Sequence, residues 1–222
     1  MLRAFVVLCI CLRGVCAWGA AAHAVVGAVS ERFITAATTD ATTALLLLYG
    51  DLTPEYNNII TAAVWADSIK PSLFDSLHYT DLPVLGPGGV PPECPPLQNS
   101  LWALSRAAHA LTDDRTDPWT LSLHLRLVLH IVGDISQPLH CAEYYSAAAP
   151  AGDRGGNLIL LDPPAGYAHN LHQFMDGGAG WSALEAVGGW NRPINVTAAR
   201  AIAASLESET EEEEEDYGGG VR

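Results

Sequence analysis

The feature that most constrains this chain is a pair of imidazoles and a carboxylate gathered at the end of one apolar helix. In Leu129-His130-Ile131-Val132-Gly133-Asp134-Ile135-Ser136-Gln137-Pro138-Leu139-His140, His130 and Asp134 stand four residues apart. That spacing puts both on one helix face. Pro138 has no N–H to donate, so it ends the helix and turns the chain, and His140 follows directly. Two imidazoles and a carboxylate in an apolar setting form a zinc-type ligand set, and one carboxylate can bridge two ions. The competing reading is a capped core helix with surface histidines, and the rest of the chain decides between them.

The 222 residues suit one domain with a sizeable core. Residues 1–17 stand apart from it. Met1-Leu2-Arg3 is a positive start, 4–12 is a short apolar run, and Val15 and Ala17 are the small residues of a cleavage site. This is the pattern of a secretory signal peptide cut before Trp18. It is too short to span a membrane. The expected location is therefore outside the cell, or the secretory or endosomal lumen. Cys9, Cys11 and Cys16 leave with the leader. Cys94 and Cys141 remain, and an oxidising compartment suggests one disulfide between them, with two separate thiols as the alternative. Asn195-Val196-Thr197 is an acceptor sequon for N-glycosylation.

Charge limits what the surface can bind. The formal net charge of −14 becomes −16 without Arg3 and Arg13, and eight of the acids lie in the tail between Glu207 and Asp216. The body is left at about −8, of which three zinc ions would offset about six. Surface charge alone will not attract a polyanion to such a protein, so a phosphate-bearing substrate has to be drawn by bound metal.

Apart from the leader, the pattern is almost entirely helical. Helices are expected over 20–34, over 38–49 (stopped by Gly50), over 56–67, over 99–111, over 117–135 and over 196–206. A loop rich in Gly and Pro covers 82–96, and an irregular stretch covers 144–164, with a short strand at 158–161. Residues 169–176 restart a helix, and 207–222 read as an acidic, disordered tail. There is no internal repeat and no domain linker. The expected fold is an all-α, single helical domain over 18–206.

Further candidates surround the opening set. Trp18 becomes the α-amino terminus after cleavage, and its amine and carbonyl can chelate a metal in a five-membered ring. His23 lies a little over one turn further on. Asp67 closes Trp65-Ala66-Asp67, and His78 lies in Leu77-His78-Tyr79. His172 and Asp176 repeat the i, i+4 geometry. Five histidines, three aspartates and one N-terminus suffice for three zinc ions with open positions for water.

The order of these motifs carries a resemblance. Trp-Gly-x-x-x-His, Trp-Ala-Asp, His-Tyr, His-x-x-x-Asp-x-x-x-Pro-x-His, Gly-Gly-Asn and Asn-Leu-His-x-x-x-Asp follow one another from Trp18 to Asp176. The set resembles the zinc-dependent single-strand-specific nucleases of fungi and plants, and among them looks similar to the trypanosomatid 3′-nucleotidase/nucleases. The resemblance implies a helical domain of the zinc phospholipase C and single-strand nuclease type. It implies three zinc sites: Asp67, His78, His130 and Asp134; His140, His172 and Asp176; and the Trp18 amine and carbonyl with His23 and Asp134. Asp134 would bridge two of them. The implied chemistry is attack of zinc-activated water on phosphorus, with the leaving 3′-oxygen stabilised by metal. The substrates would be single-stranded nucleic acid and 3′-nucleotides, with no stable protein partner.

Asp67, Lys70 and Asp134 are the expected catalytic residues. Lys70 stands where the family has a phosphate-contacting arginine, and keeps its charge but not its fork. Tyr79 is expected to stack on a base, with a core aromatic as the alternative, and Asn157 to contact the nucleotide with Asp153 in support, with a turn residue after Gly155-Gly156 as the alternative. His109, His124 and His169 have no place in the scheme, except that His169 is an alternative to His172 as a ligand. Two rivals stay open. One is a zinc phospholipase C-like enzyme, which Tyr79 and the Gly-Gly-Asn loop argue against. The other is an inactive zinc-binding remnant. The second draws on Met175 in place of a usual tryptophan, a short Asp67–His78 segment, and an end soon after Trp190 where the family continues with further helices, a C-terminally truncated arrangement.

Overall fold

The structure, a computed structural model, describes residues 19–69, 74–93, 97–189 and 192–218, the last of these from 209 onward as backbone only. The leader, Trp18, Lys70, Cys94 and Trp190 lie outside the described residues.

Helix α1 (Ala20–Glu31) is apolar almost all round and buried along nearly its whole length, as a central helix must be. It lies between two neighbours. On one side it meets α3 (Ile59–Ala62) closely: a Cβ on Gly27 would stand 2.8 Å from the Ile60 Cα, so only glycine allows this backbone-to-backbone approach. On the other side Ala20, Ala24, Val25 and Ala28 share a core with Ala199 and Ala203 of α9 (Val196–Gly218).

The second core is built on the longest apolar helix, α6 (Pro118–Asp134). Its start follows the sequence rules: Pro118 occupies the first turn, and the Asp117 carboxylate accepts the N–H groups of Trp119 and Thr120. α2 (Ala36–Leu47) and α5 (Ser100–Thr112) pack against it, as does α4 (Trp65–Ser68). Leu125 and Leu129 face Leu46, Ile59 and Ala62, while Leu127 and Ile131 face Trp65, Ala66, Leu77 and Ala103.

Arg126 is fully buried on the same helix. It donates to the carbonyls of Leu46 and Tyr56, each at 2.8 Å, and its guanidinium lies over the rings of Tyr49 and Trp65. Burial pulls its pKa down from the ordinary arginine value. Carbonyl dipoles and ring faces thus replace a carboxylate partner, and they tie three elements to α6 one turn before His130.

Two small sheets complete the fold. β1 (Leu82–Leu85) pairs in parallel with β2 (Ala142–Tyr145), and β3 (Leu160–Ala165) pairs antiparallel with β4 (Ala168–Asn170). Two short helices, α7 (Pro138–Cys141) and α8 (Leu171–Asp176), lie before β2 and after β4. The domain is all-α in class, with these strands as attachments.

Five sequence expectations need correction. The helix expected over 56–67 is three pieces: a 3₁₀ turn Pro54–Tyr56, then α3, then α4. Asn58 restarts it, because its side chain accepts the Thr61 N–H and caps a new helix. Residues 82–85, read as loop, form β1, whose partner is some sixty positions away and leaves no local signal. Pro138 does not end α6, which stops at Asp134; it occupies the first turn of α7, where its missing N–H is harmless. Residues 168–170 are strand, and Asn170 caps α8 by accepting the Gln173 N–H. The backbone stays helical through the acidic run to Gly218, since glutamate is itself a good helix former.

Candidate metal centre

Three histidine–aspartate groups converge where α1, α4, α6, α7 and α8 meet. Asp134 is at their centre. Its Oδ2 stands 3.0 Å from His78 Nδ1 and 3.2 Å from His130 Nε2. Its Oδ1 stands 3.2 Å from His23 Nε2 and 3.6 Å from His140 Nδ1. Asp67 faces the first side, 3.7 Å from His130 and 3.8 Å from His78. The third group lies beyond: Asp176 is 3.4 Å from His140 Nε2 and 3.2 Å from His172 Nε2.

Backbone carbonyls orient three of the rings. His130 Nδ1–H donates to Ala63 O at 2.7 Å, His140 Nδ1–H to His78 O at 2.8 Å, and His172 Nδ1–H to Gly155 O at 2.8 Å. Each such bond fixes the tautomer and leaves Nε2 as a bare lone pair aimed inward, the arrangement of a metal-ligating histidine. His23 stacks on His130 with ring centroids 3.8 Å apart. Among the described residues, both His23 nitrogens and His140 Nε2 are buried without a hydrogen-bond partner. Orphaned lone pairs beside carboxylates have one ready explanation, a cation, so the residues fit bound zinc.

Charge follows the same logic. Burial would raise the Asp134 carboxyl, but His130, His23 and His78 around it hold it well below the usual carboxylate range. Burial, with His130 alongside, pushes His23 below the usual imidazole value and keeps it neutral, as a ligand must be. Burial also works to lower His140, yet the Asp176 and Asp134 carboxylates outweigh it and push it up to about 9. That value belongs to the protein without metal; a cation competes for the same lone pair.

Of the predicted ligands, His23, Asp67, His78, His130, Asp134, His140, His172 and Asp176 all enter the three groups. Trp18 lies outside the described residues, but the next residue is placed: Gly19 N–H donates to Asp176 O at 2.6 Å. Lys70 and Cys94 also lie outside the described residues, and Cys141 is half-buried with its Sγ 3.1 Å from Ile135 O. Tyr79 is half-buried beside His78, its carbonyl accepting the Ser100 N–H. Asn157 donates from Nδ2 to Arg154 O at 2.9 Å. Asp153 does not support Asn157 through its side chain, which instead accepts the Tyr144 N–H at 3.0 Å and anchors β2. His109, His124 and His169 stay outside all three groups, and His124 donates back to Thr120 O.

Sequence reasoning missed three residues. Gly133 lies against His23, so close that a Cβ there would stand 2.7 Å from its Nδ1. A glycine inside an apolar helix, next to a ligand, was the available signal. Gln137 is fully buried and donates from Nε2 to Asp176 Oδ1 at 3.0 Å. Asp81, two residues after Tyr79, has φ +52° and is pushed up to about 6 by burial and by Glu143, against His140. No local pattern announces either contact.

A protein-family comparison matches residues 18–218 to the family described as S1/P1 Nuclease. No curated protein matches the chain.

Proposed function

The chain belongs to the S1/P1 nuclease family of zinc-dependent, single-strand-specific hydrolases with a helical, zinc phospholipase C-like fold, and from that premise we propose the finer reading. This protein is a secreted trinuclear-zinc phosphoesterase. It cleaves single-stranded RNA and DNA to 5′-phosphate products and removes phosphate from 3′-nucleotides, in the manner of the trypanosomatid 3′-nucleotidase/nucleases it resembles. The signal peptide 1–17 directs it to the secretory route. A Cys94–Cys141 disulfide and a glycan on Asn195, an exposed residue whose Oδ1 caps α9, suit that compartment. Among the described residues, no helix is long and apolar enough to cross a membrane.

One observation carries the reading: the two oxygens of Asp134 face different sets of nitrogens, Oδ2 towards His78 and His130 and Oδ1 towards His23. That arrangement supports a bridging role for the carboxylate. Asp67, His78, His130 and Asp134 would hold one ion. His140, His172 and Asp176 would hold a second. His23, Asp134 and the Trp18 amine and carbonyl would hold the third; Gly19, the residue after Trp18, donates its N–H to Asp176 O. Zinc there supplies a water nucleophile near neutral pH and Lewis-acid stabilisation of the leaving 3′-oxygen.

The chain's own residues do the rest. The carbonyls of Ala63, His78 and Gly155 keep three imidazoles in one tautomer, and Gln137 fixes the Asp176 carboxylate. Lys70 neutralises the scissile phosphate, Tyr79 offers a ring face to a base, and Asn157 contacts the nucleotide. Stacking needs an exposed base face, so duplexes are poor substrates.

The test is metal analysis of the secreted chain, with hydrolysis of single-stranded RNA, 3′-AMP and phosphatidylcholine at saturating zinc. Three zinc ions and activity on the first two substrates are expected. Activity on phosphatidylcholine alone would refute the proposal.

A further inference from the structure

The loop that holds His172 in place also carries an arginine that none of the roles above uses. Arg154 is exposed, and its φ of +56° lies in the left-handed region that side-chain-bearing residues rarely adopt. Gly155 and Gly156 follow at +58° and +81°, so three successive residues share this conformation and only the first bears a side chain.

The surroundings enforce it. Arg154 N–H donates to Glu143 Oε1 at 3.2 Å, and buried Glu143 is itself fixed by the Tyr145 hydroxyl at 2.7 Å. Arg154 O accepts both the N–H and the Nδ2–H of Asn157. One residue on, the Gly155 carbonyl orients His172. The Arg154 backbone is therefore tied at both ends to a loop that touches a metal ligand. A strained conformation held this firmly points to use of the side chain.

The charge is also uncommitted. Among the described residues, Arg32, Arg115 and Arg200 form ion pairs with Glu207, Asp113 and Glu31. Arg126 is buried, and Arg192 donates to a carbonyl; Arg106 is exposed and also has no partner among the described residues, but it lies on α5, which supplies none of the candidate ligands. The Arg154 guanidinium makes no hydrogen bond or ion pair with any described residue. In a chain of net charge −14, a free cation at the edge of the site is the natural contact for a polyanion.

We propose that Arg154 binds a phosphate of the single-stranded substrate adjacent to the scissile one, on the side of the His140–His172–Asp176 group. The inference rests on the nuclease reading above. It makes Arg154 a specificity residue that favours a strand over substrates with a single phosphate.

The experiment compares wild type, Arg154→Ala and Arg154→Lys, each checked for zinc content. The substrates are a single-stranded RNA ten-mer and a dinucleoside monophosphate, over a series of salt concentrations. Arg154→Ala should raise KM for the ten-mer roughly three- to ten-fold at unchanged kcat and zinc content. Its plot of log(kcat/KM) against log salt should be flatter by about 0.7, the loss of one single-strand phosphate contact. Arg154→Lys should keep the wild-type slope and recover part of the affinity. The dinucleoside monophosphate should be cleaved with wild-type constants. Wild-type KM and slope in Arg154→Ala would overturn the role and leave the nuclease reading intact, as would an equal loss on both substrates. Failure of zinc-loaded wild type to cleave either substrate would refute the nuclease reading and the role together.

Discussion

Replacing Gly133 by alanine tests the centre through one methyl group. In α6 a Cβ at this position would stand 2.7 Å from His23 Nδ1 and 3.0 Å from its Cε1. Ordinary contact lies near 3.5 Å, so the imidazole must retreat by about 0.8 Å. It has little room to do so, being fully buried and stacked 3.8 Å from the His130 ring. A shift of that size changes the position of its Nε2 relative to Asp134 Oδ1, now 3.2 Å distant. Zinc–nitrogen bonds tolerate only about 0.2 Å of error, so the ion at His23 should be lost. Two effects oppose each other in stability. Alanine is better than glycine in a helix interior by about 1 kcal/mol, whereas overpacking costs about 1–3 kcal/mol. The metal-free variant should therefore be destabilised by roughly 0–2 kcal/mol, read by urea unfolding. Metal analysis should find one zinc fewer, and RNA hydrolysis should fall by about 10- to 100-fold. In a His23→Ala background the clash disappears, and Gly133→Ala should become stabilising, a sign reversal that a double-mutant cycle detects. A single variant with the native zinc count, wild-type turnover and about 1 kcal/mol of added stability would refute the reasoning.

Three further outcomes are expected. A chain beginning with Met before Trp18 converts the chelating amine into an amide, so it should bind fewer zinc ions and cleave RNA far more slowly than one cut to begin at Trp18; equal metal and activity would remove the trinuclear proposal. Lys70→Ala should lower kcat on RNA at unchanged zinc content while Lys70→Arg keeps or raises it, and an unaltered rate in Lys70→Ala would assign the lysine to the solvated surface. Asp81 is raised to about 6 by burial and by Glu143 and Asp153, against His140, so the folded state binds its proton more tightly than the unfolded chain. Stability contributed by this group therefore rises as pH falls through about 6, and the charged carboxylate is a liability above it. Asp81→Asn should raise the Tm of the zinc-loaded protein at about pH 8 and by roughly half as much at about pH 5, because the liability fades only between the folded value of about 6 and the unfolded value of 3.8; a gain at pH 5 as large as that at pH 8 would contradict the assignment.

Much of the ligand set was legible before any fold was known. His130 with Asp134, and His172 with Asp176, are i, i+4 pairs, and helical geometry alone places each pair on one face. The start of α6 was legible for the same reason, since Pro118 and Asp117 act on N–H groups two and three residues away. The expected glycan acceptor at 195–197 and the expected leader at 1–17 are likewise read from short stretches. The order of the motifs extended this to Asp67, His78 and His140, but through resemblance rather than geometry.

Local chemistry stopped where contacts became distant. Nothing near Leu82–Leu85 reports that it pairs with Ala142–Tyr145, and the apolar run at 56–67 hides the Asn58 cap that divides it. Strand pairing and helix interruption depend on partners and competing caps, which periodicity does not carry.

The amino-acid sequence by itself determined most of the longer helices of this protein, the Asp117 cap of α6, and which candidate ligands lie one turn apart, because backbone hydrogen bonds and side-chain period act over a few residues. Only the tertiary structure decided that Asp134 turns one oxygen to His78 and His130 and the other to His23, that Gly133 opens the space for that histidine, and that Arg154 stands in the left-handed region beside His172, without an ion pair among the described residues. Those relations join residues far apart in the chain, and the packing of α1 and α4 against α6 is what brings them within ligand distance.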